Sequence, residues 1–67
     1  MNTLLLEMKT KENGKTNASI AKAIDVDQTT YYRKRKGLSE FTRKEIQAIR
    51  KELDLTDKEV DQIFFDD

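Results

Sequence analysis

The C-terminal half of the chain has two segments in which a helix start signal precedes apolar residues at helical spacing. Residues 42–45 (Thr-Arg-Lys-Glu) and 56–59 (Thr-Asp-Lys-Glu) both place a glutamate three positions after a threonine, which is the capping box of a helix N-terminus. Apolar residues three and four apart follow each box, so each predicted helix buries one face. These residues are Ile46, Ile49 and Leu53 in the first segment and Val60, Ile63 and Phe64 in the second.

Three shorter helices are predicted in the N-terminal half, each between a capping residue and a stop signal. The first one carries Leu4, Leu5 and Met8. Both glycines of the chain follow a predicted helix end, and no segment alternates as a half-buried strand does. The sequence therefore predicts an all-α, compact five-helix domain over residues 1–67. The three boundaries run from Asn2 or Thr3 to Asn13-Gly14, from Thr16 or Asn17 to Asp25, and from about Gln28 to Gly37.

The composition lacks the side chains that enzymes use most often for catalysis. The chain has 67 residues and contains no histidine and no cysteine, so the commonest general base, metal ligand and thiolate nucleophile are all missing. A core this small also leaves little room for a closed substrate cleft. We expect no enzyme activity, catalytic residue, metal site, cofactor or small-molecule substrate. Without a long apolar run we expect no membrane association, and the cytoplasm is the expected location.

Charge is segregated along the chain although the formal net charge is zero. Residues 28–51 hold eight cations against two carboxylates, a net charge of +6. Residues 52–67 hold one cation against seven carboxylates, a net charge of −6, and residues 1–27 are balanced. The basic middle segment is therefore expected to meet phosphates or an acidic protein surface. The run from Arg33 to Lys36 has a second interpretation as a solvated helix end, where cations complement the helix dipole.

Residues 16–36, TNASIAKAIDVDQTTYYRKRK, carry the pattern on which a function can be based. It consists of a short amphipathic helix, a three-residue turn and a second helix that opens with small polar side chains. Apolar side chains are expected to lock the two helices together, and the second helix is then free to present its polar side chains outward. The locking residues are Ile20, Ala21, Ile24, Val26 and Tyr31, and the outward residues are Gln28, Thr29, Tyr32 and Arg33.

This segment resembles the helix-turn-helix of phage and bacterial repressors of the Cro type. With GLSEFTRKEI and LDLTDKEVDQIFF after it, nearly the whole chain is similar to small Cro-like and modulator-of-repression proteins of temperate phages of Gram-positive bacteria, the lactococcal type included. The resemblance implies that Gln28, Thr29, Tyr32 and Arg33 face bases or a partner protein. It implies contacts to phosphate or to an acidic surface from Thr16, Asn17, Thr30, Lys34, Arg35, Lys36, Arg43 and Lys44.

Two positions depart from the family pattern. Asp25 stands at the turn position usually held by glycine, and aspartate adopts the left-handed backbone conformation less readily than glycine. The long polar side chain often found early in the first motif helix is replaced within Asn17-Ala18-Ser19. Tyr32 and Phe65 each keep two interpretations. Tyr32 is a recognition residue or a packing residue, and Phe65 caps the fold or forms a protein interface.

Two functions follow as expectations. The first is a transcriptional regulator of the lysogenic–lytic switch that binds operator DNA through its third helix, together with the main phage repressor. The second is an antirepressor or modulator that binds the N-terminal DNA-binding domain of that repressor. The neutral total charge, the missing long side chain and the extra Phe65 favour the second function, whereas the +6 segment favours the first.

Overall fold

A computed structural model describes residues 1–65 and contains five helices and no strand within that range. The described residues form one body with principal extents of 27 × 25 × 20 Å. Its helices are α1 (Thr3–Glu12), α2 (Asn17–Ala23), α3 (Gln28–Arg35), α4 (Arg43–Glu52) and α5 (Asp57–Val60), and α5 continues directly as a π-helical segment, Asp61–Phe65. The all-helical prediction is confirmed, and the predicted boundaries of α1 to α3 hold to within a residue or two, whereas the last predicted helix is α-helical only as far as Val60.

Side chains cap the N-terminus of every α-helix. The Asn2, Thr16 and Asp27 side chains each accept a hydrogen bond from the backbone N–H three residues later. At Thr42 and Thr56 the complete capping box forms, since Glu45 and Glu59 accept the N–H of the threonine in return. Both boxes predicted from the sequence are confirmed. Thr16, rather than Asn17, caps α2, and Ser19 completes a third box with it.

The core is built from at least one buried residue on each of α1 to α4 and on the π-helical segment. Edge-on ring contacts join Phe41 to Tyr31 and to Phe64, with centroid separations of 6.0 and 5.3 Å. Such edge-to-face pairs add to the stabilisation that burial itself provides. The largest fully buried side chains are Leu6, Ile20, Tyr31, Ile49, Leu53 and Ile63.

The buried face of α1 differs from the sequence expectation. Leu6 and Thr10 are buried, whereas Leu4 and Met8 are exposed. Two contacts fix the rotation of the helix: the Asn2 N–H donates to the Ile63 carbonyl at 2.7 Å, and the Thr3 hydroxyl donates to the Arg35 carbonyl at 2.8 Å. Because these contacts tie the start of α1 to both α3 and the C-terminal segment, Leu6 points into the core and the Leu4–Met8 side faces solvent.

The first four helices end in the same way, with a left-handed residue just past the last turn. The positive φ values are +67° at Gly14, +61° at Asp25, +82° at Gly37 and +50° at Asp54. In each case the next N–H bonds to a carbonyl five residues back, at 2.9 to 3.0 Å, as in a Schellman motif. Aspartate therefore takes the role of glycine after α2 and α4. At Asp25 this ends α2 and directs the chain into α3.

Substitution of Asp25 tests the cost of this left-handed turn. We expect Asp25→Gly to raise the free energy of unfolding by about 0.5–1 kcal/mol and Asp25→Ala to lower it by a similar amount, because only glycine lacks the Cβ that crowds this conformation. Urea midpoints of the two variants measure the difference. A change of the same sign in both would mean that the carboxylate, and not the backbone conformation, determines the stability at this position.

Candidate nucleic-acid interface

The outward face of α3 carries the four residues that the sequence assigned to recognition. Gln28, Thr29, Tyr32 and Arg33 are all exposed. The two adjacent tyrosines diverge, since Tyr31 is 1% exposed and Tyr32 is 54% exposed. Burial raises the pKa of the Tyr31 hydroxyl to about 12, so this side chain stays neutral in the core. The structure therefore places Tyr32 on the solvent side, as predicted.

Helix α2 supports α3 from behind. Ile20, Ala21 and Ile24 are buried, and Val26 in the connecting turn is half-buried against the same core. Ala21 is 1% exposed, as expected of a residue that locks the two helices together. All of the predicted locking residues thus contact the core, and they hold α3 with its polar side outward.

The N-termini of α4 and α2 carry further candidate residues. Thr42 and Lys44 line a shallow depression together with the α2–α3 turn, and Arg43 beside them is exposed. At the other end of α2, the exposed Thr16 and Asn17 line a depression with Lys11. Lys11 was not among the sequence candidates, because the balanced charge of residues 1–27 concealed it. Thr30 is half-buried, so it presents only part of its side chain to solvent.

Lys34 does not have the position predicted for a phosphate contact. Its ammonium group donates to the Glu45 carboxylate and to the Glu40 carbonyl, each at 2.9 Å, and lies 5.9 Å from the centre of the Phe41 ring. The Lys34 side chain is 10% exposed and that of Glu45 is 13% exposed. This lysine joins α3 to α4. The sequence could not indicate this contact, because it does not show that α4 presents a carboxylate to the inner side of α3.

Arg35 is also held inside the domain rather than offered to a ligand. Its guanidinium donates to the Glu7 carboxylate at 2.7 Å and lies 5.7 Å from the centre of the Tyr31 ring. The Arg35 side chain is 11% exposed. Of the four consecutive cations, only Arg33 and Lys36 are therefore exposed, and the Lys36 ammonium lies 5.5 Å from the centre of the Tyr32 ring. The expected phosphate role of Arg35 does not fit this geometry.

Acidic groups lie at the start of α3. The Asp27 carboxylate caps the helix by accepting the Thr30 N–H at 2.7 Å, and this hydrogen bond lowers the pKa of Asp27. The positive end of the α3 dipole is thus already matched by a charge of the protein itself. Asp25 is exposed in the preceding turn. The outward face of α3 consequently runs from carboxylates near Gln28 to cations at Arg33 and Lys36.

The contact between Glu45 and Lys34 predicts a loss of stability in acid. Burial opposes ionisation of Glu45, but the Thr42 N–H and the Lys34 ammonium outweigh it and lower its pKa below the usual 4.5. A carboxylate whose pKa is lower in the folded state stabilises the protein above its unfolded pKa and loses this contribution as the pH falls through the folded value. We expect the urea midpoint to be constant near neutral pH and to fall below about pH 4.5. In Glu45→Gln we expect the urea midpoint to fall less steeply with decreasing pH. A pH profile identical to that of the parent would contradict the assignment of this acid sensitivity to Glu45.

Comparison with protein-family models, curated sequences and solved structures finds no match to this chain. Residues 1–65 contain no group of three or more carboxylates placed to hold a metal ion. No helix in the same range has the length and apolar character needed to cross a membrane. What the chain can do must therefore be inferred from its own surface.

Proposed function

We propose that the protein is a DNA-binding transcriptional regulator in which α2, the Asp25 turn and α3 form a helix-turn-helix, with α3 as the recognition helix. The observation that carries the proposal is the outward stripe of Gln28, Thr29, Tyr32 and Arg33 on a helix fixed from behind by a buried face. A helix with this arrangement can enter a major groove while the helix behind it crosses the phosphate backbone. The sequence resemblance to Cro-like phage regulators supports the same function.

The exposed side chains suit the chemistry of base pairs. Arg33 can donate two hydrogen bonds to guanine O6 and N7, and Gln28 can pair with adenine N6 and N7. Phosphate contacts are assigned to Thr16, Asn17, Lys36, Arg43 and Lys44, which are all exposed. Lys34 and Arg35 leave this set because they pair with Glu45 and Glu7, and the half-buried Thr30 offers only part of its side chain. The proposed ligand is operator DNA of the lysogenic–lytic switch in a bacterial cell.

Selection of bound duplexes from a pool of random DNA sequences tests this function, because such a selection identifies the operator sequence directly. We expect one sequence motif to be enriched, with an affinity that falls linearly with the logarithm of salt concentration. Lys36→Ala should reduce the salt slope by about one, as expected for a phosphate contact. Lys58→Ala, an exposed lysine on α5, is the matched control and should leave the slope unchanged. No enrichment at low salt would reject the proposal.

A protein partner is the second candidate, and the mixed charge of the α3 face favours it. The ionised Asp27 and the exposed Asp25 would repel phosphates near Gln28, whereas they complement the basic surface with which a repressor binds DNA. The burial of Lys34 and Arg35 also leaves fewer cations for DNA than the sequence suggests. In this function the chain acts as an antirepressor or modulator on the DNA-binding domain of the phage repressor.

Calorimetric titration of the chain with the N-terminal domain of that repressor separates the two functions. A protein partner predicts a saturable signal without DNA and a weaker interaction for Asp25→Asn, because this variant removes one charge from the acidic end of the face and asparagine still adopts the left-handed conformation. Asp61→Asn, at an exposed carboxylate outside that face, is the control. Absence of heat together with absence of co-elution would exclude the second function and leave the first one unaffected.

A further inference from the structure

The outward stripe of α3 contains one aromatic side chain, Tyr32, whose ring is both exposed and held in position. Tyr32 is 54% exposed, and the ammonium group of Lys36, one helical turn later, lies 5.5 Å from the centre of its ring. Such a cation–π contact restrains the ring without covering all of it. Phe65 is also exposed, but it lines a cleft with the inward-facing Lys34 and lies outside this stripe. The stripe therefore offers an apolar surface at one defined place.

The space beside the Tyr32 ring is open to a ligand. A depression of about 410 Å³ between α3 and the start of α1 is lined by Tyr32 together with Thr3, Glu7, Arg35 and Lys36. The Glu7 carboxylate is paired with Arg35 at 2.7 Å, so it leaves the charge of Lys36 available. A group that contacts the ring therefore meets an ammonium group next to it. This arrangement, an apolar surface beside a cation, matches a base edge beside the phosphate backbone of DNA.

Tyr32 supplies a kind of contact that the polar residues of the stripe do not. The hydrogen-bonding groups of Gln28 and Arg33 suit the purines adenine and guanine. The apolar group in the major groove is the C5-methyl group of thymine, which proteins recognise by apolar contact with an aromatic ring or with the methyl group of a threonine. Within the stripe, these two contacts correspond to Tyr32 and Thr29. The ring has the larger apolar area, and Lys36 restrains it where it is exposed.

We infer that Tyr32 determines a preference for a pyrimidine with a C5-methyl group, with the ring against the methyl group and the Lys36 ammonium toward the adjacent phosphate. The inference rests on the proposed function and specifies what the middle of the stripe recognises. Thymine carries this methyl group in unmodified DNA. Cytosine methylated at C5 carries the same group at the same atom, so methylation of a cytosine at this position should strengthen binding for the same reason.

Pairs of duplexes that differ by a single methyl group test this inference. In the duplex obtained by selection from random sequences, each thymine is replaced in turn by deoxyuridine, which keeps every hydrogen-bonding group and removes only the methyl. We expect at least one position at which the dissociation constant of the parent rises about fourfold, the effect of burying one methyl group. At that position 5-methylcytosine should bind about fourfold more tightly than cytosine, each paired with guanine. Fluorescence anisotropy at one salt concentration measures all four duplexes.

Variants of the chain assign the methyl effect to one side chain. Tyr32→Ala should bind the two members of each pair equally, whereas Tyr32→Phe keeps the ring and should keep the methyl effect. Thr29→Ser is the matched control, because it removes the other group that can contact a methyl and retains the hydroxyl. It should leave the methyl effect unchanged. Both positions are exposed, so all three variants should keep the thermal unfolding of the parent.

The possible outcomes separate this inference from the proposed function. If a motif is enriched but no replacement of thymine by deoxyuridine weakens binding, the inference is overturned and the proposed function stands. The same holds for a methyl effect that persists in Tyr32→Ala or disappears in Thr29→Ser, and for one seen with thymine but not with 5-methylcytosine. If the selection enriches no sequence, the proposed function itself is rejected, and the methyl preference is rejected with it.

Discussion

Glu45→Ala is expected to lower the free energy of unfolding by about 3–5 kcal/mol, because it leaves the ammonium of Lys34 buried without its counter-ion. The same substitution removes the carboxylate that accepts the Thr42 N–H and so breaks the capping box of α4. Domains of this size have a total stability of only a few kcal/mol. The variant should therefore be largely unfolded at room temperature, as measured by far-ultraviolet circular dichroism and urea titration.

Glu59→Ala separates the contribution of a capping box from that of the buried contact between Lys34 and Glu45. Glu59 completes an equivalent box with Thr56, but its lysine partner, Lys9, is more exposed than Lys34. We expect a cost of about 1 kcal/mol there, the usual value of a cap. Lys34→Met in combination with Glu45→Gln removes the charges and keeps similar volumes, and it should restore much of the lost stability. Equal effects of Glu45→Ala and Glu59→Ala would contradict a special role of the Lys34–Glu45 contact.

Arg33→Ala is expected to weaken binding of the selected DNA about 10- to 100-fold and to relax the preference at one base pair. The reason is geometric. Arg33 is the exposed arginine in the outward stripe of α3, whereas Arg35 is tied to Glu7. Fluorescence anisotropy with the selected duplex and with single-base variants of it measures both effects. The stability of the variant should stay within about 0.5 kcal/mol of the parent, as is usual for exposed positions.

Arg50→Ala provides the charge-matched control. Arg50 is exposed near the end of α4 and pairs with Asp57 at 2.6 Å, outside the proposed interface. It should leave the base preference unchanged and alter the affinity much less than Arg33→Ala. If both substitutions weaken DNA binding equally and at all sequences, the interaction is a general electrostatic one, and α3 is not the recognition helix.

Local signals were sufficient to predict much of the fold. Thr42 and Thr56 each precede a glutamate at the capping distance, and the apolar residues behind them recur at helical spacing, so both helix starts could be located. Gly14 and Gly37 mark helix ends for an equally local reason, the left-handed backbone. The opposite environments of Tyr31 and Tyr32 follow from the rotation of about 100° per residue in a helix.

Contacts between residues of different helices could not be predicted from such local signals. Lys34 and Arg35 look like Arg33 and Lys36 in the sequence, yet Glu45 is 11 residues and Glu7 is 28 residues away from the cation it binds. Leu4 and Met8 looked like core residues, but hydrogen bonds to Ile63 and Arg35 turned Leu6 inward instead. Neither outcome is indicated by residues that are close together in the sequence.

The amino-acid sequence by itself determined where the helices begin, where the first three end and which face of α3 is polar, because capping, left-handed turns and helical periodicity act between residues a few positions apart. The tertiary structure alone decided which cations remain available to a ligand and which apolar side chains remain exposed. Those outcomes depend on which helix lies opposite each side chain, and only the packing of α1, α4 and the C-terminal segment against α3 sets that.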